Sequence, residues 1–266
     1  MLGRHAVSFP RALLLDMDGV LYRGSSPIEG AAEFLHAISD CPFRFITNNP
    51  IATPEQIVAK MKAMGLGDFA AETVITSAQA TARYLSSEKT NFRFYAIGAS
   101  GLSEALSQVG HQDDQAADYV VVGEGEGLDY QTLSKAIALI QQGAVLISTN
   151  PDITVDGFVD GKAVVLPGGG ALVAPVEKAC GVKAITIGKP EPLLYEMALA
   201  DLAVEAGDCV MVGDRPDTDI LGAQSLGLQT ALVRTGRFAP DAEWPVDQVA
   251  PTWDVSDLSQ LLAAWT

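Results

Sequence analysis

The sequence predicts an α/β chain, a doubly wound parallel sheet carrying an inserted α/β segment. Two short apolar runs, Ala12-Leu13-Leu14-Leu15 and Cys209-Val210-Met211-Val212, each end in a turn signal, as parallel strands buried on both faces do. Further runs of this kind alternate with helical patterns along the chain. Each of the best-defined runs also delivers polar residues at its carboxyl end, where open α/β sheets hold their ligands. At 266 residues the chain exceeds the size at which single cores stop growing, so two domains are expected.

The elements follow in order. The first run enters Asp16-Met17-Asp18-Gly19-Val20, and a second, residues 43–46, delivers Thr47-Asn48-Asn49. Thr53-Pro54-Glu55-Gln56 reads as a capping box with proline at the first helical position. Ile57, Val58, Met61 and Met64 continue it as a helical stripe ending at Gly65. A second set of signals then predicts strands at 92–97, 119–122 and 144–147 and helices at 101–109 and 129–142. Asp156-Gly157 and Asp160-Gly161 read as turns around a hairpin at 158–166. Gly123-Glu124-Gly125-Glu126-Gly127 is no dinucleotide fingerprint, since its acids would repel a pyrophosphate, and it reads as a loop. Gly168-Gly169-Gly170 reads as a turn.

Ile185-Thr186-Ile187 is expected as a strand leading to Gly188-Lys189-Pro190, followed by a helix with Leu193, Met197, Ala200 and Val204 on one face. The run at 209–212 leads to Gly213-Asp214 with Asp219 close behind, and 229–233 is a further strand. Trp253 and Trp265 are expected to pack. No low-complexity linker interrupts the chain, so residues 79–183 read as a compact insertion between core segments 1–78 and 184–266.

Composition limits the chemistry. A formal net charge of -16 argues against nucleic acid or an anionic membrane as partner. No stretch approaches the roughly 20 apolar residues of a membrane span. The first apolar run is short and broken by Asp16, so no secretory leader is expected and the cytoplasm is the default compartment. Cys41, Cys180 and Cys209 have neither disulfide nor metal spacing, and no histidine sits beside a serine or cysteine as in a triad hydrolase.

Asp16, Asp18 and Asp214 stand at strand ends, where gathered acids would repel one another unless a cation lies between them; hard oxygen ligands suit Mg2+. Thr47, Asn48, Asn49 and Lys189 offer a hydroxyl, amides and a cation suited to a dianion such as phosphate. Lys189 opposes the dipole of the helix after it by about 0.3–1 kcal/mol, which points to an anion held there. Arg215 has two readings, attraction of an anion or an ion pair with Asp217. Asn150 and Asp152 either line the inner face of the insertion or form a turn around Pro151.

Asp16-Met17-Asp18-Gly19-Val20-Leu21-Tyr22-Arg23-Gly24, Thr47-Asn48-Asn49, Ser148-Thr149-Asn150-Pro151-Asp152, Gly188-Lys189-Pro190 and Gly213-Asp214-Arg215-Pro216-Asp217-Thr218-Asp219-Ile220 occur in this order. Together they resemble the haloacid dehalogenase (HAD) superfamily of phosphatases, in its p-nitrophenylphosphatase-like branch, over about residues 12–236. The resemblance implies a HAD-like Rossmannoid core whose inserted cap closes over the active site. It implies a Mg2+-dependent phosphatase for a small phosphorylated metabolite of the sugar phosphate, nucleotide, phosphoglycolate or pyridoxal phosphate type. Asp16 would be the nucleophile that becomes an aspartyl-phosphate, and Asp18 the acid and base, its backbone carbonyl also touching Mg2+. Asp214 would complete the metal site and Asp219 support it, while Thr47, the Asn48 backbone, Asn49 and Lys189 would hold the phosphate. A homodimer through the cap is the one assembly the resemblance offers. Two alternatives stay open, a phosphotransferase using an alcohol acceptor and a phosphometabolite-binding protein without turnover. The joint presence of nucleophile, acid/base and lysine speaks against the second.

Overall fold

Every residue of the strand Ala12–Leu15 is buried, so the strand must be covered on both faces. The computed structural model, which describes residues 9–159, 162–245 and 247–266, places it inside a six-stranded sheet. The strand order is Trp253–Val255, Gln229–Val233, Cys209–Gly213, Ala12–Leu15, Phe43–Thr47, Val74–Thr76. Ala12–Leu15 pairs in parallel with both Cys209–Gly213 and Phe43–Thr47, and Gln229–Val233 lies parallel to both of its neighbours. This is the doubly wound order, and the chain reverses direction across the sheet between Ala12–Leu15 and Cys209–Gly213.

Among the described residues, those up to Ile46, Val58–Val74 and Tyr195–Thr266 form one compact unit. Thr47–Ile57 and Ile75–Leu194 form a second. The boundaries read from sequence, 78/79 and 183/184, differ from these by several residues, and the short segment 47–57 groups with the second unit. In the first unit Trp265 is 4% exposed and meets Trp253 edge-on at 5.8 Å, with Phe34 at 6.0 Å, so both tryptophans are packing residues.

The second unit has its own five-stranded sheet, ordered Ile185–Thr186, Val145–Ser148, Tyr119–Val122, Arg93–Ile97, His111–Gln112, with every pairing parallel. Its apolar cluster includes Ile97, Val120, Val122, Leu139, Leu146, Val173 and Val176. Helices form over Ser100–Ser107 and Tyr130–Gln141, close to the expected spans. The capping box at Thr53 is present, with Thr53 N–H donating to Gln56 Oε1 at 3.0 Å and Gln56 N–H to Thr53 Oγ1 at 3.4 Å. Among the described residues, no helix is long and apolar enough to cross a membrane.

Three sequence expectations change. Ile185–Thr186 pairs with Val145–Ser148 and so belongs to the second sheet, not to the core; its two residues and the exposed Ile185 make it a short edge strand. Asp156-Gly157 is no turn but lies within the strand Thr154–Val159, antiparallel to Lys162–Pro167. Gly157 is there because the Leu166 side chain occupies the place a Cβ would take. The expected turn at Asp160-Gly161 lies outside the described residues. Gly168-Gly169-Gly170 starts the helix Gly169–Cys180 instead of forming a free turn. Its glycines face the backbone carbonyls of Pro151 and Asp152 and the side chain of Asn150, so closely that a Cβ at any of the three would collide.

Gly168→Ala should therefore destabilise by overpacking, by about 1–3 kcal/mol. Scanning calorimetry should show a fall in Tm of roughly 2–10 °C. Gly207→Ala is the control, because a Cβ there meets nothing within 4 Å.

Candidate active site

In the first unit the Asp16 N–H donates to the Val212 carbonyl at 2.9 Å, extending the parallel ladder one residue past Leu15. Asp16 is thereby held beside Gly213-Asp214 at the carboxyl ends of two neighbouring strands. Past Asp214 the chain makes a π-helical turn over Pro216–Ile220. This wider turn folds Asp219 back, and its Oδ2 accepts from the N–H groups of Asp214 at 3.2 Å and Arg215 at 3.1 Å. Asp16, Asp214 and Asp219 are 8%, 2% and 1% exposed, and each offers a carboxylate oxygen within 4.8 Å of the other two.

Glycines make room for this group. A Cβ on Gly213 would strike the Asp219 side chain, and one on Gly236 would overlap the Asp214 carboxylate. Gly19 has φ +84°, and its Cβ would lie 2.5 Å from Asp214 Oδ2. Arg237 N–H donates to that same oxygen at 2.7 Å. The Thr235 hydroxyl donates to the Gly19 carbonyl at 2.7 Å, and Arg23 Nε donates to the Thr235 carbonyl at 2.8 Å. Thr235, Gly236 and Arg237 thus brace Asp214 and the turn after Asp18. Sequence reading missed them because they act through backbone groups and an absent side chain.

Asp18 stands outside the carboxylate group, with its side chain exposed at the turn where Gly19 N–H meets the Tyr22 carbonyl at 2.9 Å. Burial, then the charges of Asp18 and Asp16, push the Tyr22 phenol far above its ordinary range. Burial, then Asp219 and Asp16, do the same to Tyr195, which donates its hydroxyl hydrogen to the Thr218 carbonyl at 2.7 Å. Both phenols stay neutral, and Tyr195 secures the turn that carries Asp219. Arg215 forms the ion pair with Asp217, through Nη2 to Oδ2 at 2.6 Å and Nε to Oδ1 at 3.1 Å.

The second unit gathers the remaining expected residues. Thr47 ends its strand, and its Oγ1 accepts from Asn49 N–H at 3.2 Å. Asn48 Nδ2 donates to Asp152 Oδ2 and to the Lys189 carbonyl, both at 2.9 Å. Asn49 Oδ1 accepts from Ile51 N–H at 2.8 Å and closes a turn. Gly188 lies against Asn48, where a Cβ would come within 2.6 Å of Oδ1. Lys189 is 2% exposed. Asn150 and Asp152 form an Asx turn, Asp152 N–H donating to Asn150 Oδ1 at 3.0 Å. Their side chains are also buried and bonded to Asn48, through Asp152 Oδ2 and through the Asn48 carbonyl at 2.8 Å from Asn150 Nδ2.

Like charges held as close as those of Asp16, Asp214 and Asp219 repel one another unless a cation intervenes. An all-oxygen donor set of this kind fits a hard divalent ion such as Mg2+.

The chain is similar to known proteins along most of its length. A haloacid dehalogenase-like hydrolase family model matches residues 13–112, and a HAD-hydrolase-like model matches 186–261. The chain is 38% identical over 256 residues to an acid sugar phosphatase of Staphylococcus haemolyticus, covering 94% of each. It is 37% identical over 257 residues to one of Staphylococcus aureus, covering 95% of this chain and 97% of the other. The structure of a 4-nitrophenylphosphatase from Thermotoga maritima superposes with TM-score 0.89 at 30% identity, covering 99% of this chain and 100% of that one. A thermostable NPPase from Geobacillus stearothermophilus gives 0.84 at 34% identity, covering 94% and 96%.

Asp219→Asn keeps the size of the side chain but removes a charge from the buried group and turns an amide toward two N–H donors. Affinity for Mg2+ should fall about 10–100-fold. Isothermal titration calorimetry of variant and parent checks this without reference to turnover.

Proposed function

We propose, from the premise that this chain belongs to the haloacid dehalogenase-like hydrolase family, that it is a Mg2+-dependent phosphatase working through an aspartyl-phosphate on Asp16. That it acts on phosphate monoesters follows from the family and the relatives. The observation that carries the finer reading is the buried group of Asp16, Asp214 and Asp219, with Asp16 fixed by the sheet ladder itself. The acid sugar phosphatases among the relatives incline the substrate toward a small sugar phosphate.

A phosphate monoester resists attack because its own charge repels nucleophiles, and a covalent step divides the displacement in two. An Asp16 carboxylate oxygen bonds to phosphorus while the bond from phosphorus to the leaving oxygen breaks. Asp18 gives that oxygen its proton, so the alcohol departs neutral. Asp18 then takes a proton from water as the water oxygen attacks phosphorus. The bond to Asp16 breaks, releasing inorganic phosphate and restoring both carboxyl groups. The exposure of Asp18 suits a group that trades protons with incoming water. Thr47, the Asn48 backbone and Lys189 hold the non-bridging oxygens, where charge lies in the transition state, and Asn49 shapes their turn. The Asp16, Asp214 and Asp219 carboxylates, with the Asp18 carbonyl that the family adds, are the residues that would hold Mg2+, which supplies the positive charge that lets carboxylate and phosphoryl group approach.

Asp16→Asn should lower phosphate release by at least about 10³-fold while leaving the fold intact, because an amide cannot form the acyl phosphate. Phosphoryl label trapped on Asp16 by acid quench of the parent, and absent from the variant, identifies the nucleophile; label elsewhere refutes it. Asp18→Asn should lower turnover roughly 10²–10⁴-fold.

Excess chelator should abolish activity and Mg2+ restore it. Calcium, which takes more and longer oxygen bonds, should inhibit. Full turnover in chelator would remove the metal from the mechanism.

A further inference from the structure

Glu124, in the glycine-rich loop after the strand Tyr119–Val122, is only 2% exposed, whereas Glu126 two residues on is exposed. Acids are rarely this buried without a partner that needs them. The loop drives the side chain inward. Gly125 has φ +121°, and its Cβ would lie 2.6 Å from Ala99 N, while Gly123 packs on Leu102 and Thr149. The Glu124 carbonyl accepts from Ala99 N–H at 2.9 Å, so its backbone is held as well.

Inside, Glu124 Oε1 accepts from Asn150 Nδ2 at 2.9 Å. The other strong bond of that nitrogen goes to the Asn48 carbonyl at 2.8 Å, which also accepts from the Ser77 hydroxyl at 2.6 Å. The amide has two hydrogens, so fixing one aims the second. Across a planar trans peptide the carbonyl and N–H point in opposite directions. Pinning the Asn48 carbonyl therefore aims Asn49 N–H, which donates to Thr47 Oγ1. With Oγ1 accepting there, the hydroxyl's own hydrogen is turned away from Asn49. Asn48 Nδ2 carries the same order to the backbone of Lys189.

We propose that Glu124 is a positioning residue for phosphate binding: through the Asn150 amide it sets the 48–49 peptide plane, and with it the direction of the Thr47 hydroxyl. This rests on the proposed phosphate-holding role of Thr47, Asn48 and Lys189. It accounts for a buried acid in a motif that phosphatase chemistry does not itself require. It also predicts a loss at the phosphate end of every substrate, with no change in the choice of leaving group.

The test measures inhibition by inorganic phosphate, kcat and KM for a chromogenic aryl phosphate and two sugar phosphates, and Tm. The parent is compared with E124A, E124Q, E124D and K189A. Glu124→Ala should raise the phosphate inhibition constant about tenfold and lower kcat/KM by a similar factor for all three esters. Glu124→Gln keeps an oxygen for Asn150 Nδ2 and should restore most of the loss. Should E124A not fold, E124D answers the same question, since its carboxylate falls one methylene short of Asn150 and should weaken phosphate likewise. The proposal is overturned if these variants lower Tm while phosphate inhibition and KM stay within twofold of the parent. It is also overturned if the order of the esters changes, which would make Glu124 a specificity residue. Unchanged phosphate inhibition in K189A would show that the underlying site reading has failed, a result distinct from failure of E124A alone.

Discussion

Pairing of Ala12–Leu15 with Cys209–Gly213 is the constraint on which the first unit depends. In the observed register Leu15 stands opposite Val212, and the next ladder bond belongs to Asp16. A slip of one residue would reverse every side chain and turn Asp16 away from Asp214. Holding this register means gathering acids that repel. At an effective dielectric of 20, two ionised carboxylates this close oppose each other by about 3–4 kcal/mol. Leu13, Leu14, Leu15, Val210, Met211 and Val212 are at most 2% exposed, and each contributes roughly 1.5–3 kcal/mol by burial. The sheet therefore outweighs the repulsion, and backbone donors relieve part of the strain left at its end. Asp214 and Arg215 N–H on Asp219, and Arg237 N–H on Asp214, are the donors the chain itself provides.

In both units glycine sets the shape of these polar groups by omission. Gly213, Gly236 and Gly19 crowd Asp214 and Asp219, and Gly168, Gly169, Gly170 and Gly188 crowd Asn48, Asn150 and Asp152. A methyl group at any of these positions would push a carboxylate, an amide or a carbonyl from its place. Side chains this tightly enclosed lose rotamer freedom on folding, before any ligand arrives. Part of the ordering that binding would require has then already taken place.

What could be read in the sequence was what has local periodicity. Continuous apolar runs announced Ala12–Leu15, Cys209–Gly213 and Gln229–Val233, and the capping box announced the helix at Pro54. Motif order indicated which acids would be exceptional, and Asp16 and Asp214 do meet. What could not be read depends on distant partners. Ile185–Thr186 is too short to reveal which sheet it joins, and only its pairing with Val145–Ser148 decides. Asp156-Gly157 has turn composition, yet the glycine serves Leu166 across the hairpin. Glu124 looks like one of two equivalent loop acids until its burial separates them. Thr235-Gly236-Arg237 left no trace because a backbone N–H and a missing Cβ have no signature in composition.

Overall charge and local charge act on different lengths in this chain. A net charge of -16 disfavours the approach of an anion from afar. At physiological ionic strength that field is screened beyond about 8 Å, whereas buried groups are screened far less. Selection for a phosphate ester must therefore come from groups within contact distance, and those described are of two kinds. On the proposed reading, Lys189, 2% exposed, would act at short range, where little water weakens a charge. Oriented hydroxyl and amide donors, the role proposed for the 47–49 turn, add no net charge at all and need no reorganisation as charge shifts toward the oxygens. An acidic protein can thus serve an anionic substrate, provided its few positive groups are buried and its dipoles are fixed. On the proposed reading, the hydrogen-bonded path from Glu124 through Asn150 to the 48–49 peptide would serve that second requirement, with a buried side-chain oxygen aiming a neutral donor.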